Sequence, residues 1–203
     1  MLRVLLVDDH RLLRHGVRQI LIEQAEAVVT EAATGEAALA AIARSQFDVA
    51  VVDLTLPDIM GLELVKRLRE QHPQLPILVL SMHPAEQFAR RAFNAGALAY
   101  FTKDSAPAEL IEAIKQVRRG QQYIPPSVRA ALVEPSPPHE LLSDREYQVM
   151  RMLAAGRTVS EAASDMGISV KTVSTYRARL LEKMGMKTNA EVMRYALREH
   201  LVD

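Results

Sequence analysis

The sequence predicts an α/β domain, built on a five-stranded parallel and doubly wound sheet, followed by an all-helical domain of four short helices. Three observations carry this. Five short apolar runs alternate with five helix-period segments through residues 1–120. Half of the ten prolines crowd into residues 121–140. Paired capping residues and glycine stops punctuate residues 141–203.

The apolar runs are Val4–Val7, Val28–Val29, Val49–Val52, Ile77–Leu80 and Ala99–Phe101. Each is too short for a helix, and most are rich in β-branched residues, so they read as strands. Apolar residues on both faces point to a buried parallel sheet. Between them lie stripes at helical spacing: Leu13, Val17, Ile20 and Leu21; Ala38, Leu39 and Ile42; Leu64, Val65 and Leu68; Phe88, Ala92 and Phe93; Leu110, Ile111, Ile114 and Val117. Strands alternating with helices make a doubly wound α/β domain.

Pro125, Pro126, Pro135, Pro137 and Pro138 mark residues 121–140 as a linker, because Pro135-Ser136-Pro137-Pro138 continues neither a helix nor a central strand. A short helix fits between the proline pairs, over Ser127–Val133, and the boundary between the domains is expected near 134–140. In residues 141–203, Ser143 with Glu146, Thr158 with Glu161 and Thr188 with Glu191 have capping-box spacing. Ser169 caps a further helix, Val170 to Met184, and Gly156, Gly167 and Gly185 supply the stops. Only Gly167-Ile168-Ser169 separates the second helix from the third, which is helix-turn-helix spacing.

Composition narrows the function classes. At 49% hydrophobic and 25% charged the chain is ordinarily globular. Without cysteine there is no disulfide framework, thiolate zinc site or cysteine nucleophile. No apolar stretch approaches the ~20 residues of a membrane span. Asp8 and Asp9 end the first apolar run too early for a secretory signal, so a cytoplasmic protein without membrane partners is expected. The net charge is zero overall, with 14 basic against 15 acidic residues in 1–120 and 10 against 8 in 141–203. That favours a nucleic-acid partner for the C-terminal part only weakly.

The polar residues of the sheet gather at one pole. Asp8 and Asp9 follow the first strand, Asp53 the third, Ser81 the fourth and Lys103 the fifth. Open α/β sheets place their ligand sites at these carboxyl ends. Three carboxylates together repel one another unless a cation intervenes, and a hard divalent ion such as Mg²⁺ suits oxygen ligands. A lysine ammonium and a small hydroxyl add groups that pair with a phosphoryl oxygen. The set suits phosphoryl transfer onto an aspartate, which is mostly positioning and charge neutralisation. Each residue alone has a plainer role as a cap, a turn residue or a solvated charge. Those plain roles would have to hold at four strand ends together.

The motifs Val7-Asp8-Asp9-His10, Val52-Asp53-Leu54-x-Leu56-Pro57-x-x-x-Gly61, Leu80-Ser81-Met82-His83 and Ala95-Gly96-Ala97-x-x-Tyr100-x-x-Lys103 resemble the receiver domain of two-component response regulators, whose sheet is flavodoxin-like. The resemblance implies Asp53 as phosphoacceptor. It implies Mg²⁺ held by Asp9 and Asp53 with the Thr55 carbonyl, Asp8 acting directly or through water. Ser81 and Lys103 would contact the phosphoryl group. Tyr100 matches the aromatic switch position, which in the family turns inward as the hydroxyl residue moves toward the phosphate. Two departures stand out. Asp104 replaces a proline that in the family often follows the lysine in a cis bond; a non-proline cis bond costs about 2.5–4 kcal/mol, so the geometry of that peptide is left open. The loop after Asp53 also carries an apolar pair, Ile59-Met60, with an expected influence on hydrolysis or kinase docking.

The helix from Val170 to Met184 carries Lys171, Thr172, Ser174, Thr175, Arg177, Arg179 and Lys183, with Val173, Tyr176, Leu180, Leu181 and Met184 as its core stripe. Small hydroxyls near its start and arginines beyond suit a helix in the DNA major groove. Residues 141–203 are similar to the LuxR/NarL/FixJ-type DNA-binding domain through Leu142-Ser143-x-Arg145-Glu146, Leu153-Ala154-Ala155-Gly156, Glu161-Ala162-Ala163, Gly167-Ile168-Ser169-x-Lys171-Thr172-Val173, Lys183-Met184 and Thr188-Asn189-Ala190-Glu191. Ser174, Thr175 and Ala178 stand where family members often place base or phosphate contacts, with Ala178 replacing a commonly basic residue.

The expected organisation is a receiver domain over 1–120, a linker over 121–140 and a LuxR-type DNA-binding domain over 141–203. The expected function is a phosphorylation-switched transcription factor of the NarL/FixJ class. Its partners would be a sensor histidine kinase, double-stranded DNA, RNA polymerase, and a second copy of itself on phosphorylation. The last helix, Thr188 to Leu197, is the expected reader–reader contact. The alternative is a phosphorylation-independent DNA-binding regulator with an atypical receiver. An aspartyl phosphatase is disfavoured, because Thr55 stands where such enzymes place a second acid, so no enzyme acting on a separate substrate is expected. A flavodoxin-like cofactor binder leaves three carboxylates at the phosphate pole unexplained.

Overall fold

The computed structural model describes residues 1–105, 107–133, 137–199 and 201–202. The chain divides into two compact units, 1–134 and 135–203. The first holds β1 (Leu2–Val7), α1 (Arg11–Ala25), β2 (Ala27–Ala32), α2 (Gly35–Arg44), β3 (Val49–Val52), α3 (Gly61–Gln71), β4 (Ile77–Ser81), α4 (Ala85–Asn94), β5 (Ala99–Thr102), α5 (Pro107–Val117) and α6 (Pro126–Val133). The second holds a 3-10 turn (Pro138–Leu141), α7 (Asp144–Ala154), α8 (Val159–Asp165), α9 (Val170–Lys183) and α10 (Asn189–Arg198).

The five strands are all parallel in the order β2-β1-β3-β4-β5. Alternate residues line each face, as strand geometry requires. Leu2, Val4, Leu6, Val49, Val51, Leu78, Leu80, Ala99 and Phe101 pack in one core with Val17 and Leu21 of α1 and Leu110 and Ile114 of α5. The intervening Leu5, Val7, Ala50, Val52, Ile77, Val79 and Tyr100 are equally buried, so the sheet is covered on both sides. Because order reverses around β1, the crevice lies at the carboxyl ends of β1 and β3.

The units divide at the boundary expected near 134–140, but the first runs past residue 120, the expected end of the sheet domain. Tyr123 forms a parallel bridge with Ala99, donates its N–H to the Leu98 carbonyl at 2.9 Å, and stacks on Phe101 at 5.6 Å. Helix α6 then lies on α4, where Arg90 Nη2 donates to the Leu132 carbonyl at 3.0 Å. Residues 121–133 therefore belong to the sheet domain and are not a free linker. The Pro135-Ser136 part of the expected linker lies outside the described residues. No cis peptide occurs among the described residues, so the Lys103–Asp104 bond is trans.

In the second unit all three capping boxes form reciprocally, at Ser143/Glu146, Thr158/Glu161 and Thr188/Glu191. Gly156, Gly167 and Gly185 have φ of 81°, 64° and 65°, the left-handed conformation that ends a helix. The core gathers Tyr147, Met150, Leu153, Val173, Leu180, Val192 and Tyr195. Tyr176 and Met184, expected in that core, are only half-buried.

Candidate functional site

Strand register sets the pole. Val7 pairs with Val52, so the next residues, Asp8 and Asp53, emerge at one level; Val52, Val79 and Tyr100 are in register, so Lys103 leaves β5 two residues beyond that level. Backbone bonds extend the ladder beyond the strands: Asp53 N–H donates to the Val7 carbonyl and Lys103 N–H to the Ser81 carbonyl, both at 2.8 Å.

The Lys103 ammonium lies 2.7 Å from Asp8 Oδ2 and 2.7 Å from Asp53 Oδ2, and all three side chains are 2% exposed. Burial pushes the Asp53 carboxyl up from the ordinary carboxylate range, and Lys103 and the Thr55 N–H oppose that without cancelling it. The other acceptor oxygen, Asp53 Oδ1, takes the Thr55 N–H at 3.2 Å. Asp8 Oδ1 takes the His10 N–H at 2.7 Å.

Asp8, Asp9, His10 and Asp53 each bring a ligand atom within 4.8 Å of the others. Asp9 Oδ1 is shut off from solvent without a hydrogen-bond partner, its near neighbour being His10 Nδ1 at 2.8 Å. Three carboxylates with an unsatisfied oxygen fit a hard divalent cation, and a single ammonium neutralises only one of three charges. The spacing argument did not place His10 in this cluster. Its position directly after Asp9 was the available signal.

The remaining expected site residues sit one layer out. Ser81 Oγ accepts the His83 N–H at 3.2 Å. The His83 ring reaches Thr55 Oγ1 at 3.3 Å and stacks on Phe88 of α4 at 4.5 Å. Tyr100 is fully buried, its hydroxyl donating to the His83 carbonyl at 2.7 Å. His83 thus ties the loop after Asp53 to α4 and β5, a role the sequence motif left unassigned.

The second unit presents α9. Lys171, Ser174, Thr175, Ala178 and Arg179 are exposed, and Thr172 is half-buried. Two of the expected DNA contacts are occupied elsewhere. Arg177 Nε donates to Asn189 Oδ1 at 2.6 Å, and Lys183 Nζ meets the buried Glu146 carboxylate at 2.6 Å. Burial would raise the Glu146 carboxyl, but the Lys183 and Ser143 hydrogen bonds outweigh it and hold it below its usual range. Arg177, half-buried, and Lys183, 40% exposed, thus make contacts within the unit, while Lys171, Ser174, Thr175, Ala178 and Arg179 face solvent.

Comparison with known proteins agrees with both units. Residues 4–115 match the response regulator receiver domain, and residues 140–196 match the bacterial regulatory proteins of the luxR family. The response regulator GacA of Pseudomonas viridiflava is 35% identical over 211 residues, covering 100% of this chain and 99% of the relative. The response regulator UvrY of Escherichia coli K12 is 34% identical, covering 99% and 96%. Among solved structures, RcsB of Salmonella enterica serovar Typhimurium, bound to promoter rprA with the phosphomimetic BeF3⁻, is 25% identical with a TM-score of 0.69, covering 96% and 98%.

Proposed function

Because the chain belongs to the DNA-binding response regulators of the NarL/FixJ class, we propose that Asp53 is its phosphoacceptor and that phosphorylation there governs dimerisation and DNA reading through α9. The observation that carries this is the ammonium of Lys103 held 2.7 Å from both Asp8 and Asp53 in a buried pole.

The donor is a phosphohistidine on a sensor kinase. An Asp53 oxygen attacks phosphorus, the P–N bond breaks, and the imidazole leaves. Asp8, Asp9, Asp53 and the Thr55 carbonyl would hold Mg²⁺, which supplies charge neutralisation to the transferring phosphoryl oxygens. Lys103, already bridging two carboxylates, is placed to follow the new negative charge. Ser81 is placed to exchange its His83 N–H for a phosphoryl oxygen, and the contact is carried to Tyr100 through His83. The protein acts on no substrate other than itself and works in the cytoplasm. Among the described residues no helix is long and apolar enough to cross a membrane.

On DNA, α9 would enter the major groove with Lys171 and Arg179 on phosphates. Ser174, Thr175 and Ala178 would face the bases. Thr175 Oγ1 already donates to the Lys171 carbonyl at 3.0 Å, so its methyl is the group left to meet a thymine methyl. Two readers in a dimer grip two half-sites, and RNA polymerase is the downstream partner.

A second reading has one observation in its favour. Tyr100 is already inward, the activated position in the receiver family, which suits a regulator that binds DNA without phosphorylation. Intact mass after incubation with acetyl phosphate and Mg²⁺ separates the two. Under the first reading the wild type gains one phosphoryl group and Asp53→Ala gains none. A wild type that takes no adduct yet binds DNA supports the second.

A further inference from the structure

The segment between β3 and α3 is fixed at three points. At its start, Thr55 N–H rests on Asp53 Oδ1 at 3.2 Å. At its end, Gly61 N–H donates to the Leu54 carbonyl at 2.9 Å, and a side chain at Gly61 would collide with the Asp53 carbonyl. At its tip, Asp58 reaches across to another element. Its Oδ1 takes the N–H of Gly35 and its Oδ2 the N–H of Glu36, both at 2.9 Å.

These are the first two amides of α2, and the Thr34 hydroxyl takes the next, that of Ala37, at 3.1 Å. The unpaired amides at the start of a helix are thus divided between a local cap and a carboxylate 22 or 23 residues away. Gly35 completes the joint, because a Cβ there would collide with the Ile59 side chain. Burial nudges the Asp58 carboxyl upward, but the amides around it win and lower it, so it stays ionised.

We propose that Asp58 is a positioning residue for phosphoryl acceptance: it latches the loop that follows Asp53 onto α2 and so holds Thr55 against the acceptor carboxylate. The latch acts through Thr55, whose N–H fixes one acceptor oxygen and whose carbonyl is the expected cation ligand. It explains why this loop keeps an aspartate between Pro57 and the apolar pair. Ile59 seats the latch through its contact with Gly35, which gives that residue a role distinct from kinase docking. The proposal rests on the reading of Asp53 and its neighbours as the cation and phosphoryl site.

The competing role is a plain cap on α2. Thr34→Ala controls for it, since it weakens the same helix start without touching the loop. Mg²⁺ affinity of the full chain is measured by competition with Mn²⁺, read by electron paramagnetic resonance, beside thermal unfolding. Asp58→Ala should weaken Mg²⁺ binding about tenfold, the usual scale for a residue that orients metal ligands. Thr34→Ala should lower the unfolding midpoint and leave Mg²⁺ affinity within about twofold of wild type, below that scale. Asp58→Asn keeps one amide acceptor and should fall between, and it serves if the alanine variant does not fold. Equal Mg²⁺ affinity in wild type, Asp58→Asn and Asp58→Ala, with lowered stability, would make Asp58 a helix cap and overturn the proposal. A wild type that binds no Mg²⁺ and takes no phosphoryl group would instead overturn the site reading, and the latch with it.

Discussion

At the carboxyl pole of the sheet, Lys103 touches two carboxylates at 2.7 Å and all three side chains are 2% exposed. On α9, Lys171 and Arg179 stand in solvent, and their side chains have no partner among the described residues. Lys103, Asp8 and Asp53 are paired within the fold, as buried charges must be, and among the described residues only Asp9 Oδ1 is left for a ligand to satisfy at this pole. The helix face is finished only by its partner. Arg177 and Lys183 show the rule from the other side: these two cations of the same helix lie against Asn189 and Glu146 and became part of the domain's own structure. A partner within the domain, not residue type, separates these two cations from Lys171 and Arg179.

The largest expected effect comes from breaking the pole. Lys103→Met leaves two carboxylates buried without their cation and should destabilise the receiver by about 3–5 kcal/mol at pH 7. Protonating one carboxylate relieves the repulsion, so the loss should shrink as pH falls toward 5, and Mg²⁺ should restore part of it. Urea unfolding at the two pH values, with and without Mg²⁺, checks this. A variant as stable as wild type would mean that the pole is solvated.

Next comes the pair in the second unit. Glu146 has a folded pKa below its ordinary 4.5, so it contributes stability above that value and loses it as pH falls through 4.5 toward the folded value. Lys183→Met should cost about 1–2 kcal/mol at neutral pH, a charge-assisted bond discounted for the lysine's exposure. It should also flatten the acid limb of the stability curve, which unfolding of the full chain from pH 6 to pH 3.5 would read. If Lys183 instead grips phosphate, DNA affinity falls while this limb is unchanged.

Ser143→Ala removes the hydroxyl that accepts the Glu146 N–H and should cost about 1 kcal/mol in denaturant unfolding of the second unit. The smallest effect is on the open face. Arg179→Ala should leave stability unchanged and lower the salt slope of DNA binding by about one, evenly across sequences. A change confined to certain sequences would place Arg179 on a base edge.

Much of this was legible in the chain. The strands showed because runs such as Val49–Val52 are apolar on both faces, and the pole followed from which residue comes next on each. The helices of the second unit showed because each capping box is a local pattern four residues long. What stayed hidden is non-local. Asp58 meets Gly35 across 23 residues and Thr55 meets His83 across 28, and neither spacing has a period to detect. The division expected near 134–140 is where the chain splits, but ending the sheet domain at 120 fell short for a related reason. Prolines 125 and 126 read as linker, yet Pro126 opens α6, and only the packing of Tyr123 and Leu132 onto β5 and α4 joins that stretch to the sheet. The commitments of Arg177 and Lys183 were invisible for the same cause, since nothing local distinguishes them from Lys171.

The proposed switch couples the charge state of Asp53 to DNA reading by α9. The direct test measures affinity for a duplex selected from random sequence against the phosphorylated fraction read by intact mass, on the same full-length sample. Affinity should rise in step with that fraction and stay flat for Asp53→Ala. High affinity independent of the phosphorylated fraction would rule out the switch and make the protein a constitutive DNA binder.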